Sequence, residues 1–579
     1  MADNLGSSAG TACLGEMYRN GEGRPMDLPK AVELFQAAAT KGSPAGQRNL
    51  GVCYATGLCG LRGDQAKAVL YYHFAAMGGD IEAQMAMGYR HMYGLNVPKN
   101  CNAAVQFYEA PAEEVVRAVQ ALAGPASTER HSLAAAADKA KSKDRDESVI
   151  EYLHYSAARG DSSAQVSLGQ IYYSGSRGMT QNAEEAFKWY QKAADKGDAN
   201  AMGHLGNMYA QGVYVKACNK TAIEYYSRGM EKNNPIALNG FGYMAMYGKG
   251  MMQSYADALK YFMQAAELGN HEARFNLGAL YIGGLGVDKD YAKAIYYFTL
   301  AANRGHMLAL YNLAMMHLNG FGTPKSCHNA LQFLKSVAER GFPALALQES
   351  FLLYQGGDTD RALVRYAEAA ELGFDVAQEN TAYLLDQGGT QLAAGRRDRA
   401  LRAYEMSAQQ GSMESEIKIG DYYYNGWGAQ ADKRKAAAHY RIAAEARLPQ
   451  AMFNLGWMHE CGTGVPRDLH LAKRYYDMAI ETSGDAIWPV YPCLAKLWLR
   501  MAWGEWVAWA DKAAMRVNER YKKHGVKIPM SSVWQPWVIK YWDSVLVGVL
   551  IGMLFATLVL KQQLTLMRRR AQRAARERL

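Results

Sequence analysis

The chain repeats itself. Residues 273–305, "ARFNLGALYIGGLGVDKDYAKAIYYFTLAANRG", align with residues 451–479, "AMFNLGWMHECGTGVPRDLHLAKRYYDMA", on one pattern: A-x-x-x-L-G-x-x-Y/H, then G-x-G, then a segment rich in Ala and aromatics. The Leu-Gly pair or its equivalent recurs at Leu14/Gly15, Leu50/Gly51, Met87/Gly88, Leu168/Gly169, Leu205/Gly206, Phe241/Gly242, Leu277/Gly278, Leu313/Ala314, Ile419/Gly420 and Leu455/Gly456, with steps of 36 or 37 residues between adjacent copies. Weaker copies begin near Ala344 and Ala377, making about twelve units, and a period of this size belongs to helix-pair solenoids. Within one unit, Ala294, Tyr297, Phe298 and Ala301 follow helical spacing and make an apolar stripe that two helices alone cannot bury. Gly278 and Ala301 are expected to let neighbouring helix backbones approach closely, and Gly284, Gly286 and Gly305 to turn the chain or end a helix. The fold class that follows is all-α: a solenoid of TPR-related helix pairs with an extended recognition surface.

Departures from the period divide the chain. Residues 1–110 form a first repeat block, 111–146 a linker with a Gly-Pro break and a charged, Ala-rich stretch, and 147–341 a middle block. Residues 342–397 hold irregular, degenerate repeats, 398–481 the last repeats, 482–540 a Trp-rich membrane-proximal segment, 541–560 a transmembrane helix and 561–579 a basic tail.

Chemistry is hard to find. "GSSAG" at residues 6–10 matches a nucleophile elbow only formally, since no strand precedes it. No metal, phosphate or dinucleotide motif occurs, and His317 and His459 sit at the Tyr position of their repeats, as packing residues would. No catalytic residues, metal or cofactor are therefore expected, and the chain reads as a non-enzyme. The formal charge is +9, of which residues 561–579 contribute +6, so nucleic-acid binding by the body is unsupported. Eight cysteines are too few for a disulfide scaffold. Cys53 and Cys59 could bridge in an oxidising compartment or serve as small buried thiols, and Cys101, Cys218 and Cys327, each just before the second helix of a repeat, point to a packing niche. Asn219-Lys220-Thr221 is an N-glycosylation sequon with Asn219 as its acceptor. The first residues carry no secretory signal.

The C-terminal region points to a membrane. Eight of the 11 tryptophans lie within residues 488–542. Trp498, Ala502, Trp506, Trp509 and Ala513 share one helical face, which suits a helix at a membrane surface, a helix docked on a membrane partner, or a cap on the solenoid. Trp534, Trp537, Tyr541 and Trp542 resemble an interfacial aromatic belt. The 17 uncharged residues from Ser544 to Leu560 would span roughly 26 Å, close to the hydrocarbon thickness of the endoplasmic-reticulum membrane. Seven Lys/Arg follow the span, which puts the C-terminus in the cytosol, the repeats in the lumen and one pass through the bilayer.

Taken together, these stretches resemble one family. The quoted repeats, "LALYNLAMMHLNGFGTPKSCHNALQFLKSVAERG", "MAMGYRHMYGLNVPKNCNAAVQFY" before the linker, the sequon before "AIEYY", the three-block layout and the C-terminal span are similar to the Sel-one-like adaptors. Those are luminal subunits of Hrd-type ubiquitin ligases in endoplasmic-reticulum-associated degradation (ERAD). The resemblance implies a multi-spanning RING ligase as partner, a mannose-reading lectin, Derlin-type membrane proteins and misfolded glycoprotein clients. It also implies ligase contact through His470, Lys473 and Arg474 of "DLHLAKRYYDMA", with Leu471, Tyr475 and Tyr476 as core, and through Trp498, Trp506 and Trp509 beside the ligase at the luminal leaflet. The rival reading is a tail-anchored scaffold whose repeats face the cytosol.

Overall fold

Why a glycine follows the leucine in repeat after repeat is visible in the packing. A Cβ added to Gly278 would lie 2.5 Å from the ring of Phe298 on the second helix of the same pair, and one added to Gly206 would lie 2.4 Å from the ring of Tyr226. The same holds for Gly51 under Tyr72, Gly88 under Tyr108, Gly420 under Tyr440 and Gly456 under Tyr476. The glycine therefore admits an aromatic ring, and at Gly242 and Gly456 the backbone of the facing helix also comes within 3.4 and 3.3 Å of the added Cβ. In the one pair where Ala314 replaces glycine, the ring position is occupied by the smaller Leu334, and both residues are fully buried. First helices end on glycines in the left-handed region, such as Gly284 at φ 67°, which side chains with a Cβ rarely adopt. Second helices start on Asp, Asn or Ser caps: Asp27 accepts from the Lys30 amide, Asp290 from Lys293 and Asp468 from Leu471, at 2.9–3.0 Å.

The structure, a computed structural model, describes residues 7–122, 130–134, 140–177, 179–388, 392 and 395–522. The transmembrane segment 541–560, the belt residues Trp534, Trp537, Tyr541 and Trp542, and the tail 561–579 lie outside the described residues. Among the described residues no helix is long and apolar enough to cross a membrane. The described residues form two compact units, divided after Gln410.

In the first unit, three pairs open the chain: α1 (Ser8–Asn20) with α2 (Leu28–Thr40), α3 (Pro44–Thr56) with α4 (Gln65–Met77), and α5 (Ile81–Tyr93) with α6 (Cys101–Leu122). After α7 (Ala140–Ala158) come five pairs: α8 (Ser162–Ser174), α9 (Ala183–Asp195), α10 (Ala199–Gln211), α11 (Asn219–Met230), α12 (Pro235–Tyr247), α13 (Tyr255–Glu267), α14 (His271–Gly283), α15 (Tyr291–Ala302), α16 (Met307–Asn319) and α17 (Cys327–Ala338). Two more pairs, α18 (Leu345–Gln355) with α19 (Thr359–Glu371) and α20 (Asp375–Gln387) with α21 (Arg396–Gln409), fall where the degenerate copies were expected.

These late helices close the unit on its own beginning. Buried Arg19 pairs with Glu368 at 2.7 Å, buried Arg90 with Glu371 at 2.6 Å, and Arg361 donates to the Asn20 carbonyl at 2.7 Å. Arg399 and Arg402 donate to the carbonyls of Gly57 and Ala55. Arg19 and Arg90, on the inner row of the first block, are thus covered by α19, and α21 lies against the end of α3. The first block also reaches α17, because α6 runs unbroken through Pro111 to Leu122 and packs against it. Pro111 costs the helix about 3 kcal/mol, and the burial of Ala112 and Val115, the latter against Gly341, outweighs that cost.

Disulfides revise the cysteine expectations. Cys53 and Cys59 are joined, and so are Cys101 and Cys327, the first residues of α6 and α17, so those two are not merely filling a packing niche. Their shared register in the repeat becomes a shared position across the α6–α17 contact, and that brings their Cα atoms to 6.1 Å. Cys218 is unpaired, and the Thr221 hydroxyl donates to its sulfur at 3.2 Å.

The second unit holds two pairs, α22 (Met413–Asn425) with α23 (Lys433–Glu445) and α24 (Pro449–Cys461) with α25 (Leu469–Thr482), followed by the long α26 (Ile487–Lys522).

Candidate partner-binding surface

Two faces give α26 its role. Val490 and Leu497 are fully buried in the core built by Leu455, Met458, Ala472 and Tyr476 of the last pair, with Cys493, Leu494 and Met501 packed beside them. Turned away from that stripe by roughly a quarter turn or more, the helix carries Trp488, Tyr491, Trp498 and Trp509. These four are 70%, 58%, 68% and 66% exposed, and Ala502 between them is exposed too. From Tyr491 to Trp509 this aromatic face runs about 27 Å along the axis. The helix thus caps the last helix pair, as one reading of the Trp-rich segment expected, and it also presents an exposed aromatic face. The side chains of Trp506 and Ala513 lie outside the described residues.

What aims the helix is a buried charge that sequence reasoning missed. Glu460, at the end of α24, has no solvent exposure, and its carboxylate accepts from Lys496 at 2.9 Å and Arg500 at 3.0 Å, both on α26. The Tyr476 hydroxyl donates to its other oxygen at 3.0 Å, and Lys496 also stands 5.0 Å over the Trp457 ring. Burial, with the Glu460 charge added, pushes the Tyr476 hydroxyl and the Cys493 thiol up, so both stay protonated beside the carboxylate. The signal was present in the repeat register. Four residues after the Leu-Gly glycine most other units carry Ala55, Met92, Ala210, Met246, Ile282, Tyr173, Leu318 or Tyr424, so the charged exceptions, Arg19 and Glu460, mark partners to be sought.

Of the proposed ligase contacts, His470, Lys473 and Arg474 are exposed on α25, Lys473 in an ion pair with Asp477 at 2.8 Å. Tyr476 is fully buried, while Leu471 and Tyr475 are half-buried. His459 stacks on Tyr475 and His317 on Phe333, with centroids 5.7 and 5.8 Å apart, so both act as packing rings. Asn219 is exposed at the first residue of α11.

Comparison with known proteins decides the kinship. The Sel1 repeat model matches residues 14–43, 44–80, 81–113, 162–198, 199–234, 235–270, 271–306, 308–342, 414–447 and 449–481. The chain belongs to the Sel1 repeat family. Over 501 residues it is 44% identical to the mouse protein sel-1 homolog 2, covering 86% of this chain and 73% of that one. It is 46% identical over 502 residues to the Arabidopsis thaliana ERAD-associated E3 ubiquitin-protein ligase component HRD3A, covering 84% of this chain and 73% of that one. A second Arabidopsis component, HRD3B, is 34% identical over 495 residues, or 83% and 74% of the two chains. Among the described residues there are twelve helix pairs; the family model covers ten and omits α18–α19 and α20–α21, which pack against the first block.

Proposed function

We propose that this Sel1 repeat protein is a non-enzymatic adaptor of an endoplasmic-reticulum ubiquitin-ligase complex. It binds a multi-spanning Hrd-type RING ligase and receives misfolded luminal glycoproteins, through a mannose-reading lectin, for passage to Derlin-type membrane proteins and degradation. Its repeats face the lumen, residues 541–560 cross the bilayer once, and the basic tail lies in the cytosol. The observation that carries this reading is the solvent-exposed aromatic face of α26, with Tyr491, Trp498 and Trp509 on a helix anchored by Glu460. Aromatic side chains offer large contact area at little entropic cost and are enriched both at protein interfaces and at membrane boundaries. His470, Lys473 and Arg474 supply a polar rim on the neighbouring helix.

The two disulfides favour the lumen over the cytosolic, tail-anchored alternative, since such bonds persist in oxidising compartments and are rare in the cytosol. Purification of the tagged full chain in mild detergent should recover a multi-spanning RING ligase, and Trp498→Ser with Trp509→Ser should strip it away at unchanged melting temperature. Recovery of cytosolic proteins alone would count against the proposal.

A further inference from the structure

The two disulfides of the first unit differ in reach and in access. Cys53 and Cys59 are six residues apart, and their sulfurs lie in a core at 0% and 4% exposure. Cys101 and Cys327 are 226 residues apart, and both are half-buried at the protein surface. Exchange proceeds by attack of a thiolate on a disulfide sulfur, so access decides which bond a reductant reaches first. The outer bond is the reachable one.

Its position gives that difference a consequence. The bond joins the first turns of α6 and α17, where the last pair of the opening block meets the last pair of the middle stack. The described helices α7 to α16 lie between these two ends, so the chain leaves and returns at this seam. Close packing of α6 on α17 forms the seam, and among the described residues two polar links lie beside it: the Tyr311 hydroxyl of α16 donates to Glu113 at 3.5 Å, and Arg130 pairs with Glu339 at 3.3 Å. The opening block has a second attachment, the Arg19–Glu368 and Arg90–Glu371 pairs to α19, so opening the seam would change how the block is held without releasing it.

We propose that Cys101–Cys327 is a redox clasp on the α6–α17 seam, opened by a protein dithiol while Cys53–Cys59 stays closed. One thiolate of the dithiol attacks a clasp sulfur, breaking the Cys101–Cys327 bond and forming a mixed disulfide. The second thiol of the reductant then displaces the remaining clasp sulfur. The dithiol leaves as a disulfide, and its two electrons and two protons end on Cys101 and Cys327. This regulation rests on the luminal reading above, because it needs a compartment in which the clasp forms.

The test is stepwise native reduction of the full chain in detergent with dithiothreitol, read by differential alkylation and by amide hydrogen exchange. Cys101 and Cys327 should alkylate first, with exchange in residues 101–122 and 327–338 rising at least about tenfold while residues 44–77 change less than about twofold. Cys101→Ser with Cys327→Ser should show the fast exchange without reductant, and if that variant does not fold, reduction of the wild-type chain still decides. Earlier reduction of Cys53–Cys59, or reduction of the clasp with exchange unchanged, would overturn the proposal. If all four cysteines are free thiols in protein isolated from cells under thiol-blocking conditions, the luminal reading itself fails, an outcome distinct from a bond that is present but does not govern the seam.

Discussion

Replacing Glu460 by Gln should loosen α26 without unfolding the repeats that carry it. The carboxylate is fully buried, whereas its partners Lys496 and Arg500 keep 17% and 20% of their side-chain surface. Removing one member of a buried ion pair typically costs about 3–5 kcal/mol. Here Gln keeps the shape and an acceptor for Tyr476, and both cations retain some access to water, which lowers the expected loss to about 2–3 kcal/mol. Val490 and Leu497 remain buried, each worth ~1.5–3 kcal/mol, so the helix stays docked for most of the time. At 1.36 kcal/mol per factor of ten, the open population of α26 should rise roughly 30- to 150-fold. Hydrogen exchange over residues 490–501 reads this directly, with residues 413–445 as the internal reference. Lys473→Ala breaks an exposed pair four residues apart on α25, worth about 0.3–0.5 kcal/mol, and should change exchange less than about threefold. A Glu460→Gln protein whose α26 exchanges within about threefold of wild type would refute the view that this charge aims the helix.

Other consequences follow from single residues. Gly278→Ala drives a methyl group into Phe298 and should cost ~1–3 kcal/mol of stability, and adding Phe298→Leu should recover part of that loss by recreating the Ala314/Leu334 combination, which a calorimetric double-mutant cycle will detect. Burial, reinforced by the charges of Glu368, Asp80 and Glu16, raises the Glu82 carboxyl to about 7 despite Arg48. The folded state then holds this proton more tightly than the unfolded chain, so stability contributed by protonated Glu82 is present below about pH 4.5 and is lost as pH rises to about 7. Thermal midpoints across that range should show a downward slope in wild type that Glu82→Gln reduces, and equal slopes would count against it. Asn219→Gln should remove endoglycosidase-sensitive mass from the protein made in cells, and an unchanged gel mobility would mean that Asn219 carries no glycan.

Much of the repeat was readable because its determinants are local. Gly278 and Phe298 lie 20 residues apart within one unit, and the same spacing recurs wherever the unit does. The exposed aromatic face was legible for a similar reason, since Trp498 and Trp509 fall on one side of any helix drawn through them. Long-range closure was not legible. Nothing near Cys101 names Cys327, and their common register suggested a common packing role instead of a bond. Nothing local to Arg19 or Arg90 names Glu368 and Glu371, the partners that α19 places against them. Pro111 read as the start of a linker because the packing that carries α6 on to Leu122 includes Val115 against Gly341, more than 200 positions away. Glu460 was hidden in plain register: its departure from the repeat is visible, but the cations that answer it sit on a helix outside the repeat.

The central claim is that the repeats are luminal and reach their ligase from that side. Protease treatment of intact microsomes, with a tag after Leu579, tests it most directly. The account predicts that the tag is digested while the Sel1 repeats survive until detergent is added. Digestion of the repeats with the tag protected would contradict it.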